Sequence, residues 1–330
     1  MNKANAIVAA IAMVICAAAA DVRACPLCKT GSPSRVHVAD SPGDAVESTR
    51  NNGSFLPAGR FHLDLTAEYR KWDVIDPLQA VLMDRQGKHV HDFSQEWFYH
   101  VTLTYAATDD VELSVSVPFR DLTSVFIDDS RPALVGSHDK GSSGLGDVEL
   151  GARWRFLRDP VELYLITGVG IPTGDTHNRD RLGRRFESEF QPGSGGWSTT
   201  VGLGIAQQWG PWSAHLEAQH TLRFEGERDY EFGDSTQLSL GGSYQLPPRE
   251  GRPNVVLLGD LLAQFNEPDV DRGAIQGGHR AKLLFLVPGL ALQWAEGVTV
   301  SVTAPIPIYQ DWALHQEIDY SIRFSIGFSF

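Results

Sequence analysis

The sequence has few methionines and cysteines, and no long apolar run follows its N-terminal region. Three of its 330 residues are Met and three are Cys. No later stretch reaches about twenty consecutive apolar residues, which excludes a helical membrane protein. Positive charge is also scarce, with 28 Lys and Arg against 41 Asp and Glu and a formal net charge of −13. This balance argues against nucleic acid as a partner.

The N-terminus has the pattern of a secretory signal. Lys3 precedes an apolar stretch from Ala6 to Ala20, and small residues follow it. We therefore expect a signal peptide over residues 1–20, with cleavage as late as residue 24. Residues 21–59 are polar and rich in Ser, Pro, Asp and Gly, which predicts a periplasmic segment or a plug.

Two cysteines remain after removal of the signal, in the sequence Cys25-Pro-Leu-Cys28. An oxidising periplasm favours a disulfide or a thiol pair. A metal site is the alternative, although two cysteines supply only half of a tetrahedral ligand set. Lys29 stands where haem attachment requires His, which disfavours haem. No other cofactor is expected.

The last eleven residues alternate strictly between large apolar and small or polar side chains. This period-two pattern predicts a strand with one apolar face, and it continues to the C-terminal aromatic. We interpret it as the closing strand of an outer-membrane barrel, recognised by the barrel-assembly machinery. The predicted assembly signal consists of Tyr320, Phe324, Phe328 and Phe330.

From residue 60 to residue 330 the chain shows about twelve alternating segments, each long enough to cross a bilayer when tilted. Short connections, such as 107–110 and 210–211, take turns with long ones, such as 71–94, 120–146 and 171–197. The fold class predicted is all-β, a transmembrane antiparallel up-and-down β-barrel. Aromatic residues near strand ends predict interfacial girdles against lipid and lipopolysaccharide, and they include Tyr69, Trp72, Trp209 and Trp212. A mean hydropathy of −0.18 agrees with a barrel that has a polar lumen.

The faces opposite the apolar ones predict a lumen with charges of both signs. These charges form either a structural network of ion pairs or a constriction that selects solutes. The candidates are Arg153, Arg155, Arg223, Arg323, Glu149 and Glu217, and Lys282 is also placed inside.

Two glycine-containing segments resemble the sequence motifs of a known protein family. Gly144-Leu-Gly-Asp147-Val-Glu-Leu-Gly151 and, further on, Gly168-Val-Gly-Ile-Pro172-Thr-Gly-Asp175 are typical of one family. The chain resembles outer-membrane channels linked to the MetA pathway of phenol degradation. The resemblance implies a barrel in the outer membrane of a Gram-negative-type envelope and transport of small molecules. From the residues alone, both segments are interpreted as strand starts and turns rather than ligand sites.

Three functions remain to be compared. The first is a channel for small solutes, including hydrophobic or aromatic molecules. The second is an outer-membrane lipid hydrolase, which requires Ser and His facing lipid. The alternation instead turns His62, His100 and His215 to the lumen, so we expect no enzyme. The third is a barrel whose Cys25 and Cys28 act with a periplasmic metal or redox partner.

Overall fold

The computed structural model describes residues 55–73, 92–126, 137–179, 183, 185–248, 251–276, 280–294, 297–312 and 317–330. The predicted signal peptide and the Cys25 and Cys28 segment lie outside these ranges. Within them, no helix has the length and apolar composition needed to cross a membrane.

Seventeen strands and two 3-10 helices make up the described chain. The helices are Ser188–Phe190 and Glu227–Asp229. The strands are β1 (Phe61–Trp72), β2 (Asp92–Thr108), β3 (Val111–Phe126), β4 (Ser137–Leu145), β5 (Val148–Leu157), β6 (Glu162–Ile171), β7 (Ser198–Trp209), β8 (Trp212–Arg223), β9 (Tyr230–Glu231), β10 (Ser235–Gln245), β11 (Asn254–Asn266), β12 (Asp269–Asp271), β13 (Ala274–Gln276), β14 (Ala281–Gln293), β15 (Val298–Thr303), β16 (Ile306–Trp312) and β17 (Ile318–Ser329).

Fourteen of these strands form one closed barrel, whereas β9, β12 and β13 form a separate three-stranded sheet, and pairing is antiparallel throughout. The order around the wall is β11, β10, β8, β7, β6, β5, β3, β2, β1, β17, β15 and β14, and β14 pairs again with β11. Strand β4 extends β5 along β3, and β16 extends β15 along β14. Each of these pairs is one interrupted strand, so the predicted twelve-stranded barrel is confirmed. Closure matters because backbone groups in hydrocarbon must be paired within the protein.

Short and long connections lie at opposite ends of the barrel, as predicted. The short ones join β2 to β3, β5 to β6, β7 to β8, β10 to β11 and β14 to β15. The backbone N–H of Phe61 donates to the carbonyl of Phe330 at 2.8 Å, which brings the start of β1 and the chain end together. One expected loop was wrong in extent, because β3 and β4 form a hairpin that covers much of residues 120–146.

The outer face carries the apolar residues that the alternation predicts. Exposed side chains include Leu203, Leu240, Trp209, Trp212 and Phe324.

Two placements from the sequence were wrong. Trp72 is buried inside the barrel, where its indole N–H donates to Glu96, so it belongs to no girdle. Lys282 is exposed on the outer face, because its neighbours Ala281 and Leu283 are the residues that point inward.

Candidate functional site in the barrel lumen

A buried chain of ion pairs crosses the lumen face of four strands. Arg323 on β17 binds Glu68 on β1 at 2.6 Å, and Arg70 binds the other oxygen of Glu68 at 2.7 Å. Arg70 also approaches Glu96 on β2 at 3.7 Å, and Arg120 on β3 binds Glu96 through its Nε at 3.2 Å. Each positive charge therefore has a carboxylate beside it, as burial of charge requires. We call these five residues the charge network.

The charge network also holds one long connection inside the barrel. Arg120 donates from Nη1 to the carbonyl oxygens of Glu189 at 2.9 Å and Gln191 at 3.1 Å. Between these two residues, Phe190 packs against the buried apolar cluster that includes Trp72. The connection between β6 and β7 thus enters the lumen from the long-connection end.

Residues just before β1 occupy the short-turn end of the lumen. The guanidinium of Arg153 lies 4.3 Å from the ring centre of Phe55 and 4.4 Å from that of Tyr164. The backbone N–H of Leu56 donates to Glu112 at 2.8 Å, and Arg153 lies 3.9 Å from the same carboxylate. Cation–π contact and ion pairing together fix the Phe55 segment against β5.

Arg155 lies at the rim of the barrel, also at the short-turn end. Its Nε binds Asp110 at 3.0 Å and its Nη1 binds Glu162 at 3.1 Å. Arg158 binds Asp110 as well, at 2.6 Å. Hydrogen bonding from Arg158, with a further contribution from Arg155, holds the pKa of Asp110 below its ordinary value. The turn carboxylate therefore stays ionised into mildly acidic solution.

The six charged lumen candidates lie at separate places rather than in one ring. Arg153 and Arg155 bind near the short turns, whereas Arg323 binds Glu68. Arg223, at the end of β8, donates to the carbonyl of Gly233 in a long connection.

The two carboxylates among these candidates are both buried. Glu149 lies on the lumen face of β5, and Glu217 accepts a hydrogen bond from the Tyr164 hydroxyl. Gly204 faces Tyr164 across the strand pair, and a Cβ at Gly204 would overlap the ring.

Strands β11 and β14 are apolar on their lumen faces as well as on their outer faces. Across this pair, Val256 faces Ala291, and Leu262 faces Phe285, all with no measurable exposure. We call this surface the apolar stripe, and it consists of Val256, Leu258, Leu262, Leu283, Phe285, Val287 and Ala291. Its members belong to two clusters, one at each end of the strands, so the stripe runs along the lumen.

The apolar stripe was not predicted from the sequence, although a signal for it was present. Alternation breaks down in Val255-Val-Leu-Leu258 and in Leu283-Leu-Phe-Leu-Val287. A strand that is apolar at consecutive positions is typical of burial on both faces. In a barrel, one of those faces must point inward.

A polar pair lies within the apolar stripe. Asp260 on β11 points inward between Leu258 and Leu262, and His215 on β8 approaches it with Nε2 at 3.5 Å from Oδ1. The alternation correctly placed His215, His62 and His100 on the lumen side, where they are buried or partly buried. No group of three potential metal ligands occurs in the part of the chain that the structure describes.

The two glycine-containing segments contact each other at the break between β4 and β5. Asp147 accepts the backbone N–H groups of Gly174 at 2.9 Å and Ser194 at 2.8 Å. Asp175 in turn accepts the N–H of Leu145 at 2.9 Å. The acidic residue of each segment therefore caps the backbone of another segment, which is the structural role expected from the residues.

Hydrogen bonds also join the long connections to one another. Glu227 accepts hydrogen bonds from Arg185 and, at 3.2 Å, from Thr176. The bond from Arg185 is the main cause that lowers the pKa of Glu227. Tyr230 donates to Asp269 at 2.6 Å, and burial together with nearby carboxylates raises the pKa of this tyrosine.

A protein-family model matches residues 90–306, well over half of the chain. Its description is "Putative MetA-pathway of phenol degradation". The chain belongs to this family. The family predicted from the glycine-containing segments is therefore confirmed, and no curated protein matches the chain.

Solved structures show the same fold. The COG4313 outer membrane channel from Pseudomonas putida F1 is similar with a TM-score of 0.61 and 16% identity, over 83% of this chain and 97% of that chain. The β domain of the Bordetella autotransporter BrkA has a TM-score of 0.50 and 12% identity, over 83% of this chain and 100% of that chain. The chain has the fold of an outer-membrane β-barrel, as expected.

Proposed function

We propose that this barrel is a passive channel through which small hydrophobic molecules, aromatic ones among them, cross the outer membrane. The observation that carries the proposal is the apolar stripe. A lumen built for water-soluble solutes is polar on every strand. Here two neighbouring strands offer apolar side chains along the inside of the barrel.

The members of the apolar stripe keep at most 8% of their surface exposed, so an apolar solute contacts them where the side chains packed over them move aside. Contact with the stripe then replaces contact with water. Each Å² of apolar surface removed from water contributes about 25 cal/mol. A path with many weak contacts and no deep trap lets such a solute enter and also leave. The apolar side chains of the stripe carry no charge or polar group that could bind an ion.

The charge network has a structural role on the lumen faces of β17, β1, β2 and β3. Glu68, Arg70, Glu96 and Arg120 are almost completely buried and are bound to one another. Charges that are satisfied in this way hold the strands and the Phe190 turn in place. We assign them no role in sorting solutes.

We propose no catalytic role for this chain. A lipid hydrolase requires a nucleophile and a base on the face that meets lipid. His62, His100 and His215 all lie on the lumen side instead. Among the described residues, the contacts of Ser with His on the lumen side include Ser329 with His62 at 3.0 Å and Ser239 with His215 at 3.4 Å, and neither histidine faces lipid.

We further propose that Tyr320, Phe324, Phe328 and Phe330 serve in recognition by the barrel-assembly machinery. Support comes from the outward position of Tyr320, Phe324 and Phe328 on β17, which pairs with β1, and from the exposure of Phe330 directly after this strand. Exposed Trp209 and Trp212 at the short turn between β7 and β8 suit contact with lipid headgroups.

The channel is tested by uptake of an apolar fluorescent dye into cells that express the wild-type barrel or a Val287→Asp variant. We expect faster dye entry with wild type than without the protein, and loss of that gain in the variant. Ser301→Asp is the matched control, since Ser301 is also buried, on the lumen face of β15, but lies outside the apolar stripe. Equal uptake with and without the barrel would contradict the proposal.

A further inference from the structure

We propose that the side chain of Phe190 is the gate of the channel. Its ring covers the apolar stripe at the long-connection end of the barrel, and it turns aside when a solute enters. The inference rests on the proposed function and deepens it, because it names the residue that controls access to the apolar stripe.

The buried apolar cluster around Trp72 forms the frame of this gate. The cluster spans the wall from β3 through β1 and β17 to β14 and β11. Its buried members keep at most 2% of their surface exposed. A solute that comes from the long-connection end therefore meets packed side chains first. Four cluster members also belong to the apolar stripe, namely Leu262, Leu283, Phe285 and Val287.

Phe190 differs from the buried members of the cluster in its support. Those members all lie on wall strands, where hydrogen bonds to neighbouring strands hold the backbone. Phe190 lies in the connection between β6 and β7, and it is only partly buried. Among the described residues, it is the one partly buried apolar residue that packs against this cluster. Its ring can therefore leave the cluster without a break in the strand pairing.

The backbone on both sides of Phe190 is held in place. The N–H of Phe190 donates to the carbonyl oxygen of Glu187 at 3.1 Å. Arg120 donates from Nη1 to the carbonyl oxygens of Glu189 and Gln191. These two residues directly precede and follow Phe190, so the turn is bound to β3 on either side of the ring.

The buried side chain of Gln191 ties the same turn to the rest of the connection. Its Nε2 donates to the carbonyl oxygens of Asn178 at 3.1 Å and Phe186 at 3.0 Å, and its Oε1 accepts the N–H of Asn178 at 2.9 Å. Asn178 in turn donates to the hydroxyl of Ser142 on β4 at 2.6 Å. With the backbone bound in this way, the freedom that remains is rotation of the Phe190 side chain between staggered conformations.

The gate is selective because its frame and its moving part are both apolar. A solute that takes the place of the ring restores the lost contacts only if its own surface is apolar. A polar solute leaves its hydrogen-bonding groups unpaired there, which costs free energy. Apolar constrictions also stop water and ions, because they stay dry.

The test measures the entry of the dye N-phenyl-1-naphthylamine into cells that carry the barrel in their outer membrane. Rates are compared at equal amounts of folded barrel. Phe190→Ala should speed entry about tenfold over wild type, because no phenyl ring has to leave its apolar contacts. Phe190→Trp, which has the larger ring, should slow entry.

Phe186→Ala is the matched control. Phe186 lies in the same connection and is also partly buried, with its ring centre 6.5 Å from that of Phe190, but it does not pack against the cluster. This variant should keep the wild-type rate. An unchanged rate in Phe190→Ala, or an equal gain in both alanine variants, would overturn the assignment. If no form of the barrel speeds dye entry over cells that lack it, the proposed channel function fails instead.

A second measurement leaves the rest of the chain as in wild type. The barrel carries 4-fluorophenylalanine at position 190, and fluorine NMR in lipid nanodiscs reports the exposure of the ring through its solvent isotope shift. Saturation with toluene should raise the exposure at position 190 and leave the same label at position 186 unchanged. A label at position 190 that does not respond to toluene would also overturn the assignment.

Discussion

Replacing Glu96 by alanine removes the central carboxylate of the charge network. Glu96 has no exposed surface, and it accepts hydrogen bonds from Arg120 and from the Trp72 indole, each at 3.2 Å. Arg70 lies 3.7 Å from the same carboxylate. The substitution therefore takes an anion away from two buried guanidinium groups and an acceptor away from an indole.

The expected cost follows from that burial. Removal of one partner from a buried ion pair costs about 3–5 kcal/mol, because the remaining charge stays out of water. Arg70 keeps Glu68 at 2.7 Å, and Arg120 keeps the carbonyl groups of Glu189 and Gln191, which limits the loss. We expect the free energy of unfolding to fall by about 3 kcal/mol, the lower end of that range.

The assay is a denaturant titration of the barrel in phospholipid vesicles, followed by tryptophan fluorescence. Glu96→Gln should cost less than Glu96→Ala, because an amide oxygen still accepts from Trp72. Arg158→Ala, which removes the exposed partner of Asp110, should cost no more than about 1 kcal/mol. If Glu96→Ala also cost less than about 1 kcal/mol, the charge network would be hydrated and the reasoning refuted.

Two further predictions concern the lumen wall and the rim. Gly204→Ala should destabilise the barrel by about 1–3 kcal/mol through overlap with Tyr164, whereas Gly259→Ala, which meets open space, should be nearly neutral in the same titration. Because Arg158 lowers the pKa of Asp110, the folded chain gains stability from this group above the ordinary value of 3.8 and loses it as the pH falls through the lower folded value. Asp110→Asn should therefore be less stable than wild type at neutral pH and equal to it in strong acid, and a difference that persists in strong acid would contradict this account.

The period-two pattern was sufficient to predict the barrel, because outer-membrane strands repeat one simple contrast. In β17, for example, Phe324, Ile326 and Phe328 point outward, whereas Ser325 is buried inward. The number of alternating segments then gave the strand count, and the alternation of short and long connections gave the up-and-down order. These features are local, and a sequence displays local features directly.

The lumen was harder to predict, because its content depends on which strands become neighbours. Arg323 meets Glu68 only because β17 closes onto β1, and the two residues lie 255 positions apart. Likewise, Arg120 meets Glu189 and Gln191 only because a long connection folds inward. The spacing of these residues along the chain does not predict these contacts.

The wrong placements have one physical cause. Trp72 and Lys282 were assigned from residue type, on the assumption that aromatic residues face lipid and charged ones face water inside. In β14 the residues that face the lumen are apolar. Lys282 lies on the outer face, which it shares with Leu284 two positions later. Near the long-connection end, the lumen contains the apolar cluster that buries Trp72.

The central claim is that the inside of this barrel binds apolar solutes along β11 and β14. Methyl-selective NMR in nanodiscs of deuterated lipid tests it directly, with toluene as the solute. The account predicts nuclear Overhauser contacts from toluene to the lumen-facing Leu258, Leu262 and Val287. Contacts confined to outward-facing Leu261 and Leu286, as for a solute dissolved in lipid, would contradict it.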